Sequence, residues 1–356
     1  MNPANGASAE IQSRHYESTQ GLLQRILDST LECAIVLGAD MRVATANVAA
    51  RNIFSREDEA LEGRRLSEVI RDAALHDAYR RAVEQNSSSD LRLELPFGDK
   101  PKFDVHISPI ELDGYTLAIG FFYDVTSIER LERTRNEFLS NISHELRTPL
   151  TSILAFVETL EDGAIDDQEN NRRFLGVIRR NATRMHSMIS DILELSMIES
   201  GKISLRIRQL ELRPIVNDVV TDLSTKAFGR GIELINDVAE GQTVRGDPER
   251  LQQMLGNLVD NAIKFNREFG HVRISCESLA GCDRISVADN GEGILPEHFD
   301  RIFERFYRAD RARSREVDGT GIGLAIVKHL ARLHGGEVTA ESELKHGSAF
   351  TIELAR

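Results

Sequence analysis

His144 is the residue whose surroundings most clearly predict chemistry, because a helix pattern places it on the solvent face. Ile142 and Leu146 of the apolar stripe lie two residues to either side, so at ~100° per residue His144 projects roughly 200° from each. Glu145 is expected to hold the Nδ1–H of the ring and leave Nε2 as a nucleophile, and Thr148 to orient a water. An isolated helical histidine is more often simply packed or exposed, so this assignment depends on its neighbours.

A polar ridge is predicted on the helix Pro248–Phe265. Asn257, Asn261 and Lys264 occupy positions i, i+4 and i+7, opposite an apolar face. Carboxamide oxygens are hard ligands that suit a hydrated Mg²⁺, and an ammonium group attracts phosphates. Taken alone, the spacing also fits a solvated Asn and Lys face.

Two glycine-containing turns follow. Asp289 comes after a buried-looking strand with Gly291 and Gly293 beside it, so its carboxylate is expected to accept from the exocyclic amine of a base, although a plain Asx-Gly turn is the alternative. The second turn opens a helix and has glycines at i, i+2 and i+4, an arrangement that points backbone N–H groups at phosphate oxygens. Its members are Gly319, Thr320, Gly321, Gly323 and Leu324.

An aromatic segment and a charged run lie between these turns. Ile302–Arg308 and Ala309–Asp318 together fit a nucleotide lid, with a surface loop as the alternative. Each motif is weak singly, but their order downstream of His144 predicts one nucleotide site.

The elements that must position these residues predict a multidomain α+β chain behind a flexible tail at residues 1–20. Residues 21–125 predict one α+β domain. The pattern of residues 126–203 predicts two amphipathic helices in a hairpin. A single hairpin would leave much of its apolar stripe exposed, so we expect a second copy of the chain to complete a homodimeric four-helix bundle. Pro149 is expected to kink the first of these helices. Residues 204–356 predict an α/β sandwich with helices on one face of a mixed sheet.

The overall composition excludes several classes of protein. The net charge of −13 over 356 residues argues against a general nucleic-acid or anionic-membrane surface. Three cysteines without CxxC spacing argue against a disulfide framework or a zinc knuckle and favour the reducing cytosol. No apolar run approaches the ~18–20 residues that cross a bilayer. We therefore expect a cytoplasmic chain without a membrane span, or the soluble part of a longer membrane-anchored protein.

In this order the motifs resemble those of the histidine kinases of two-component signalling. Five segments match the family's motifs in chain order. They are the H-box (His144–Pro149), the N-box (Asn257–Lys264), the first glycine box (Asp289–Gly293), the F-box (Phe303–Phe306) and the second glycine box (Gly319–Leu324). The match covers residues 126–356, and residues 21–125 resemble, more loosely, a PAS sensor domain.

The resemblance implies a homodimeric ATP-dependent protein-histidine kinase. Such an enzyme phosphorylates His144 from ATP and Mg²⁺ and passes the phosphoryl group to an aspartate of a response regulator. Glu145 is then the acid–base partner of His144, and the face that carries Thr148 aids dephosphorylation of the regulator.

The resemblance also assigns the nucleotide contacts. It makes Asn261 the Mg²⁺ ligand with Asn257 assisting, directs Lys264 to phosphate and Asp289 to the adenine amine, and has Arg308 help neutralise the transferred group. Gly319, Gly321 and Gly323 shape the phosphate loop.

Two other classes of function compete with this interpretation. Gyrase, heat-shock chaperone and mismatch-repair ATPases share the implied ATP fold but carry a glutamate one turn before the Mg²⁺-binding asparagine. Asn257 occupies that position and is a poor base for water, which disfavours an ATPase motor or clamp. The other class is a catalytically silent scaffold, and the intact glycine turns and polar ridge argue against it.

Overall fold

A computed structural model of the protein describes residues 21–22, 24–55, 59–95, 101–112, 114–309 and 319–356. The tail predicted at residues 1–20 lies outside these ranges. The chain divides into two compact units, Met1–Asn136 and Glu137–Arg356. Within the described residues, no helix combines the length and the apolar character that crossing a bilayer requires.

The first unit contains an antiparallel sheet of five strands in the order β2-β1-β5-β4-β3. These strands are β1 (Cys33–Leu37), β2 (Val43–Ala46), β3 (Ser89–Glu94), β4 (Lys102–Leu112) and β5 (Tyr115–Asp124). Three helices, α1 (Val48–Phe54), α2 (Leu66–Val69) and α3 (Ala73–Gln85), pack with the sheet around one core. This is the α+β domain that the sequence predicts.

Aromatic side chains fill the centre of the first unit. The rings of Phe54, Phe103 and Phe122 lie with centroids 5.3 to 6.3 Å apart. The buried Tyr79 hydroxyl donates to the Ile35 carbonyl oxygen at 3.0 Å, which satisfies its polar atom within the core.

The hairpin of β4 and β5 is longer than the strands Phe103–Ile107 and Thr116–Phe122 that the sequence pattern indicates. β4 continues through Pro109, which pairs in register with Ala118 of β5. Proline breaks strand patterns because it lacks an N–H donor. It is tolerated here because β3 pairs with β4 only up to Ile107, so within the described part of the chain Pro109 lies on an edge of the sheet.

The beginning of the long helix α4 (Thr126–Thr159) is held by the sheet of the first unit. The Asp124 carboxylate accepts from the Thr126 N–H at 2.9 Å, and the Thr126 hydroxyl accepts from the Lys102 N–H at 2.9 Å. Glu129 forms ion pairs with Arg92 at 2.6 Å and with Lys102 at 2.8 Å. The first turn of α4 is therefore attached to β3, β4 and β5.

The predicted hairpin consists of α4 and α5 (Gln168–Glu199), joined through a π-helical turn, Leu160–Ala164. Gly163 takes a φ of 106° in this turn, where the helical path breaks. The helix α4 continues through the buried Pro149 to Thr159. A carboxylate oxygen of Asp167 accepts from the Asn170 N–H at 3.2 Å at the beginning of α5.

The remainder of the second unit is a mixed sheet with helices packed on it. The sheet has the order β11-β12-β10-β9-β7, with β7 parallel to β9 and the other pairs antiparallel. Its strands are β7 (Glu233–Asn236), β9 (His271–Ser278), β10 (Cys282–Asp289), β11 (Glu337–Glu343) and β12 (Gly347–Ala355). Three helices, α6 (Leu212–Phe228), α7 (Pro248–Lys264) and α8 (Gly323–Leu333), share its core. A separate ribbon pairs β6 (Arg208–Glu211) with β8 (Thr243–Gly246).

Candidate functional site

His144 lies on an exposed face of α4, as predicted, and Thr148 lies one turn further along that face. The Thr148 hydroxyl donates to the His144 carbonyl oxygen at 3.3 Å, a common bond for threonine within a helix. The imidazole ring is therefore accessible to a reactant that approaches from solvent.

Glu145 faces the second helix of the hairpin. Its carboxylate lies 3.5 Å from Arg184 Nη2 on α5. Neighbouring helix residues project about 100° apart, so Glu145 and His144 diverge. In this structure Glu145 joins the two helices, whereas sequence reasoning expected it on the ring of His144.

The polar ridge forms as predicted on α7. Asn257, Asn261 and Lys264 are all half-buried on one side of the helix. The other side is fully buried and comprises Leu251, Met254, Leu255, Leu258, Val259, Ala262 and Ile263. The 3.6-residue period thus fixes the direction of the ridge, because the core cannot accept any other face of the helix.

Asp260 lies within the ridge and was missed by the sequence analysis. Its carboxylate pairs with Lys264 Nζ at 2.6 Å and with the Lys226 ammonium group of α6. Burial acts to raise the pKa of Asp260, but the two lysines outweigh it and hold that pKa below its ordinary value. The i, i+4 spacing of Asp260 and Lys264 was the signal available in the sequence.

Asp289 is half-buried at the end of β10, where its carboxylate accepts from the chain itself. Oδ1 accepts from the Gly291 N–H at 2.8 Å and from the Ser348 N–H at 3.3 Å. Burial raises the pKa of Asp289, although both N–H groups oppose this shift. The turn is joined to the end of α7, because the Glu292 N–H donates to the Phe265 carbonyl oxygen at 3.1 Å.

The glycines of this turn allow close packing of the chain's own backbone. A Cβ on Gly291 would lie 2.4 Å from the Phe265 carbonyl oxygen. Gly293 has a φ of +72°, and a Cβ there would lie 2.1 Å from the Glu343 carbonyl oxygen. Both positions exclude a side chain for reasons of folding alone, a requirement that sequence reasoning attributed to the approach of a ligand.

The second glycine turn lies against the polar ridge. A Cβ on Gly323, the first residue of α8, would be 3.5 Å from Asn257 Oδ1, and one on Gly319 would be 3.9 Å from Lys264 Nζ. Arg308 Nη1 donates to the Gly319 carbonyl oxygen at 2.7 Å. The fold therefore gathers the ridge, this turn and Arg308 into one place, while Leu324 packs on the core behind them.

The aromatic segment is bonded to the second glycine turn and packs on α4. The Phe306 N–H donates to the Gly321 carbonyl oxygen at 2.9 Å, and the Phe306 ring lies 5.7 Å from that of Phe138 on α4. The Arg301 guanidinium stacks over Tyr307 at 4.4 Å. The predicted charged run lies outside the described residues from 310 to 318.

Helix α5 contacts this site through a residue that sequence reasoning missed. The Thr320 hydroxyl donates to Asp191 Oδ2 at 2.8 Å. The two residues are 129 positions apart, so no local pattern predicts the contact.

Three family models match the chain. The PAS fold matches residues 27–130, the His Kinase A (phospho-acceptor) domain matches 134–201, and the histidine kinase-, DNA gyrase B- and HSP90-like ATPase matches 246–356. The second match contains His144, and the third contains the polar ridge and both glycine turns. The third match identifies the C-terminal region as an ATP-binding domain.

Curated relatives match nearly the whole chain. The phosphate regulon sensor protein PhoR of Pseudomonas aeruginosa is 31% identical over 340 residues, covering 94% of this chain and 75% of that protein. The sensor protein kinase WalK of Staphylococcus aureus strain Newman is 30% identical over 344 residues, covering 95% of this chain and 56% of that protein. The first relative agrees with a resemblance in the sequence itself, because the segments around His144 and at Phe303–Arg313 are similar to the phosphate-regulon sensor kinases.

Solved structures share the fold. The histidine kinase ThkA, in a complex with the response regulator protein TrrA, matches 93% of this chain and 97% of that chain with a TM-score of 0.52 and 24% identity. The Acinetobacter baumannii histidine kinase AdeS matches 60% of this chain and 97% of that chain with a TM-score of 0.51 and 24% identity. The family models and PhoR establish that the chain belongs to the sensor histidine kinases of two-component systems, which phosphorylate a histidine of their own from ATP and pass the phosphoryl group to a response regulator.

Proposed function

We propose that His144 is the phosphorylated histidine of this kinase. The observation that carries the proposal is its exposed position on α4 within the matched phospho-acceptor domain. In the transfer, Nε2 of the neutral ring forms a bond to the γ-phosphorus while the bond from that phosphorus to the oxygen of ADP breaks. Glu145 is the group that takes the Nδ1 proton, once its side chain turns from Arg184.

The residues on and around α7 hold the ATP in this proposal. Lys264 and the N–H groups of the turn Gly319–Gly323 bind the phosphates, and Arg308 neutralises charge on the transferred group. Asp289 accepts from the adenine amine through the carboxylate lone pairs that its two backbone bonds leave available. The contacts of the glycine turn with Asn257 and Lys264 support this assignment.

The same ridge fits a magnesium ion. The side chains of Asn257 and Asn261 are half-buried one turn apart on one helix face, and their carboxamide oxygens are hard ligands. Mg²⁺ would neutralise the phosphate oxygens of ATP when bound. Asn261 is the principal ligand and Asn257 assists. Because Asn257 is a poor base, this chain leaves water unactivated, which favours transfer to His144.

The hairpin is proposed to dimerise with a second copy of the chain. Five leucines on its two helices are each 46% to 59% exposed, which leaves an apolar surface along both helices. They are Leu139, Leu150, Leu154, Leu175 and Leu193. A four-helix bundle would cover this surface, and light scattering of the wild type beside Leu154→Glu, with a smaller mass expected for the variant, tests it.

We also assign a response regulator of cytosolic location as the partner, since the ATP that the kinase consumes is cytosolic. Thr148 shares the exposed face of His144 and is proposed to orient the water that dephosphorylates the regulator. Thr148→Ala should keep autophosphorylation and lose the regulator phosphatase activity. Unchanged phosphatase activity in a variant that still autophosphorylates would remove Thr148 from this role.

Labelling with γ-³²P-ATP and Mg²⁺ tests the assignment of His144 directly. Wild type should acquire an acid-labile, alkali-stable label that His144→Gln lacks. His186→Gln is the matched control, because His186 is an exposed histidine on the other helix of the hairpin. Label that survives in His144→Gln would show that another histidine accepts the phosphoryl group.

A further inference from the structure

The carboxylate of Asp191 contacts the glycine turn that the proposed function assigns to phosphate. Asp191 is half-buried on α5, and the Thr320 hydroxyl donates to it at 2.8 Å. Thr320 stands between Gly319 and Gly321, and its oxygen also accepts from the Ile322 N–H at 3.3 Å. The Asp191 carboxylate of the hairpin thus engages the Thr320 hydroxyl, which is a hydrogen-bond donor of the glycine turn.

Asp191 is also within electrostatic range of the polar ridge. Burial raises the pKa of Asp191, the Thr320 hydroxyl and Lys264 act against this shift, and Glu194 adds to it. Lys264, the cation assigned to phosphate, lies beside the same turn, because a Cβ on Gly319, the neighbour of Thr320, would be 3.9 Å from Lys264 Nζ. Asp191 therefore adds negative charge where the polyphosphate needs positive charge.

Among the described residues, Asp191 is one of three acidic side chains of α5 that contact the ATP-binding domain. Glu194 pairs with Arg250 at 2.5 Å and also binds Gln253, both on α7. Glu199 pairs with Arg305 and with His329 at 3.4 Å. Only the Asp191 contact lies on the glycine turn, so the other two contribute to docking without occupying that turn.

These contacts imply that docking on α5 and ATP binding oppose each other. The γ-phosphate is anionic, and close like charges with little water between them repel strongly. In the proposed site, the phosphates of ATP also require the hydrogen-bond donors of the same glycine turn. A ligand that binds the undocked form better shifts the chain toward that form, and the coupling is reciprocal.

We propose that Asp191 couples the two events: docked on Thr320, its carboxylate weakens binding of the ATP phosphates, and ATP releases the domain from α5. The proposal rests on the assignment of the glycine turn to ATP phosphate. The release would free the domain to approach His144, and Asp191 would set how much ATP is needed.

Calorimetric binding of the non-hydrolysable analogue AMP-PNP with Mg²⁺ to the full chain tests the proposal. Asp191→Asn keeps an acceptor for Thr320 but removes the charge, so it should bind AMP-PNP about tenfold more tightly. Adenosine, which has no phosphates, should bind wild type and variant equally. Asp218→Asn is the charge-matched control, because Asp218 is exposed on α6, and its affinity should equal that of wild type.

Glu194→Gln tests whether a gain in AMP-PNP affinity comes from weaker docking on α5 or from a local change of charge at the glycine turn. It weakens docking at Arg250, away from the glycine turn, and should raise AMP-PNP affinity by a smaller factor with adenosine again unchanged. Unchanged AMP-PNP affinity in Asp191→Asn, or a gain in Asp191→Asn with none in Glu194→Gln, would overturn the proposal. If wild type failed to bind AMP-PNP at all, the assignment of the nucleotide site itself would be refuted instead.

Discussion

Replacing Asp247 by alanine should loosen the beginning of α7, the helix that carries the polar ridge. Asp247 is only 7% exposed. Its Oδ1 accepts from the Glu249 and Arg250 N–H groups at 3.1 and 3.2 Å, and Oδ2 accepts from the Arg206 N–H at 2.8 Å. The Asp247 N–H donates to His334 Nε2 at 3.1 Å, and this backbone bond is retained in the variant.

The expected cost follows from these three acceptor bonds. Loss of an N-cap side chain typically costs about 1 kcal/mol. The Arg206 N–H also loses its bond to this carboxylate, which costs about 1 to 3 kcal/mol because the acceptor is charged. We therefore expect the free energy of unfolding of the ATP-binding domain to fall by about 2 to 4 kcal/mol.

Native-state hydrogen exchange of peptides from α7 measures this loss locally. Each 1.4 kcal/mol is a factor of ten, so exchange of the protected amides should quicken by roughly 30- to 700-fold. Peptides from β1 of the first unit serve as the internal reference. Asp247→Asn has one acceptor oxygen, so it keeps the N-cap bonds but loses the Arg206 bond, and exchange should quicken about fivefold less than in Asp247→Ala. Exchange of α7 within about threefold of wild type in Asp247→Ala would refute the reasoning.

Four further outcomes are expected. Burial acts to raise the pKa of Asp247, but the N–H groups from which it accepts bring that pKa below its usual 3.8. The carboxylate therefore stabilises the fold fully above about pH 4, and this stabilisation is lost as the pH falls through the lower pKa of the folded state. The thermal unfolding temperatures of wild type and Asp247→Asn should therefore converge on acidification. Gly293→Ala should abolish nucleotide binding and destabilise the second unit by at least about 3 kcal/mol, because its Cβ would lie 2.1 Å from a backbone oxygen. Gly281→Ala, at a φ of +100° with no atom within 4 Å of the added Cβ, should cost only about 1 kcal/mol in the same unfolding assay. Gly120→Ala should lower the Tm of the first unit, because its Cβ would meet the buried Tyr79 hydroxyl at 2.1 Å, while AMP-PNP affinity stays unchanged.

The helices of the ATP-binding domain were predictable to within about a residue because their signals are local. Asp247 and Pro248 mark the beginning of α7, and the apolar period continues to its end. The strands β6, β7 and β8 were missed, because each has only four residues. Their pairing depends on partners distant in sequence, and so short a run shows no clear alternation.

The same distinction between local and long-range signals applies to the residues of the candidate site. The spacing of Asn257, Asn261 and Lys264 fixed their common face, since one helix carries all three. Asp191 could not be inferred, because its contact depends on how α5 meets the glycine turn. Glu145 was assigned a partner by adjacency in sequence, whereas the packing of α5 supplied Arg184.

The close backbone packing at Gly291 and Gly293 limits how nucleotide preference can be engineered. A Cβ added at either residue would clash with a carbonyl oxygen of another segment, so this part of the proposed site cannot be reshaped by adding a methyl group. A library that varies these two positions would be depleted by misfolding before any change in base selectivity appeared. In the proposed assignment, selectivity for another purine is more accessible through Asp289→Asn, which keeps one oxygen to accept from the Gly291 and Ser348 N–H groups and replaces the other acceptor with a donor.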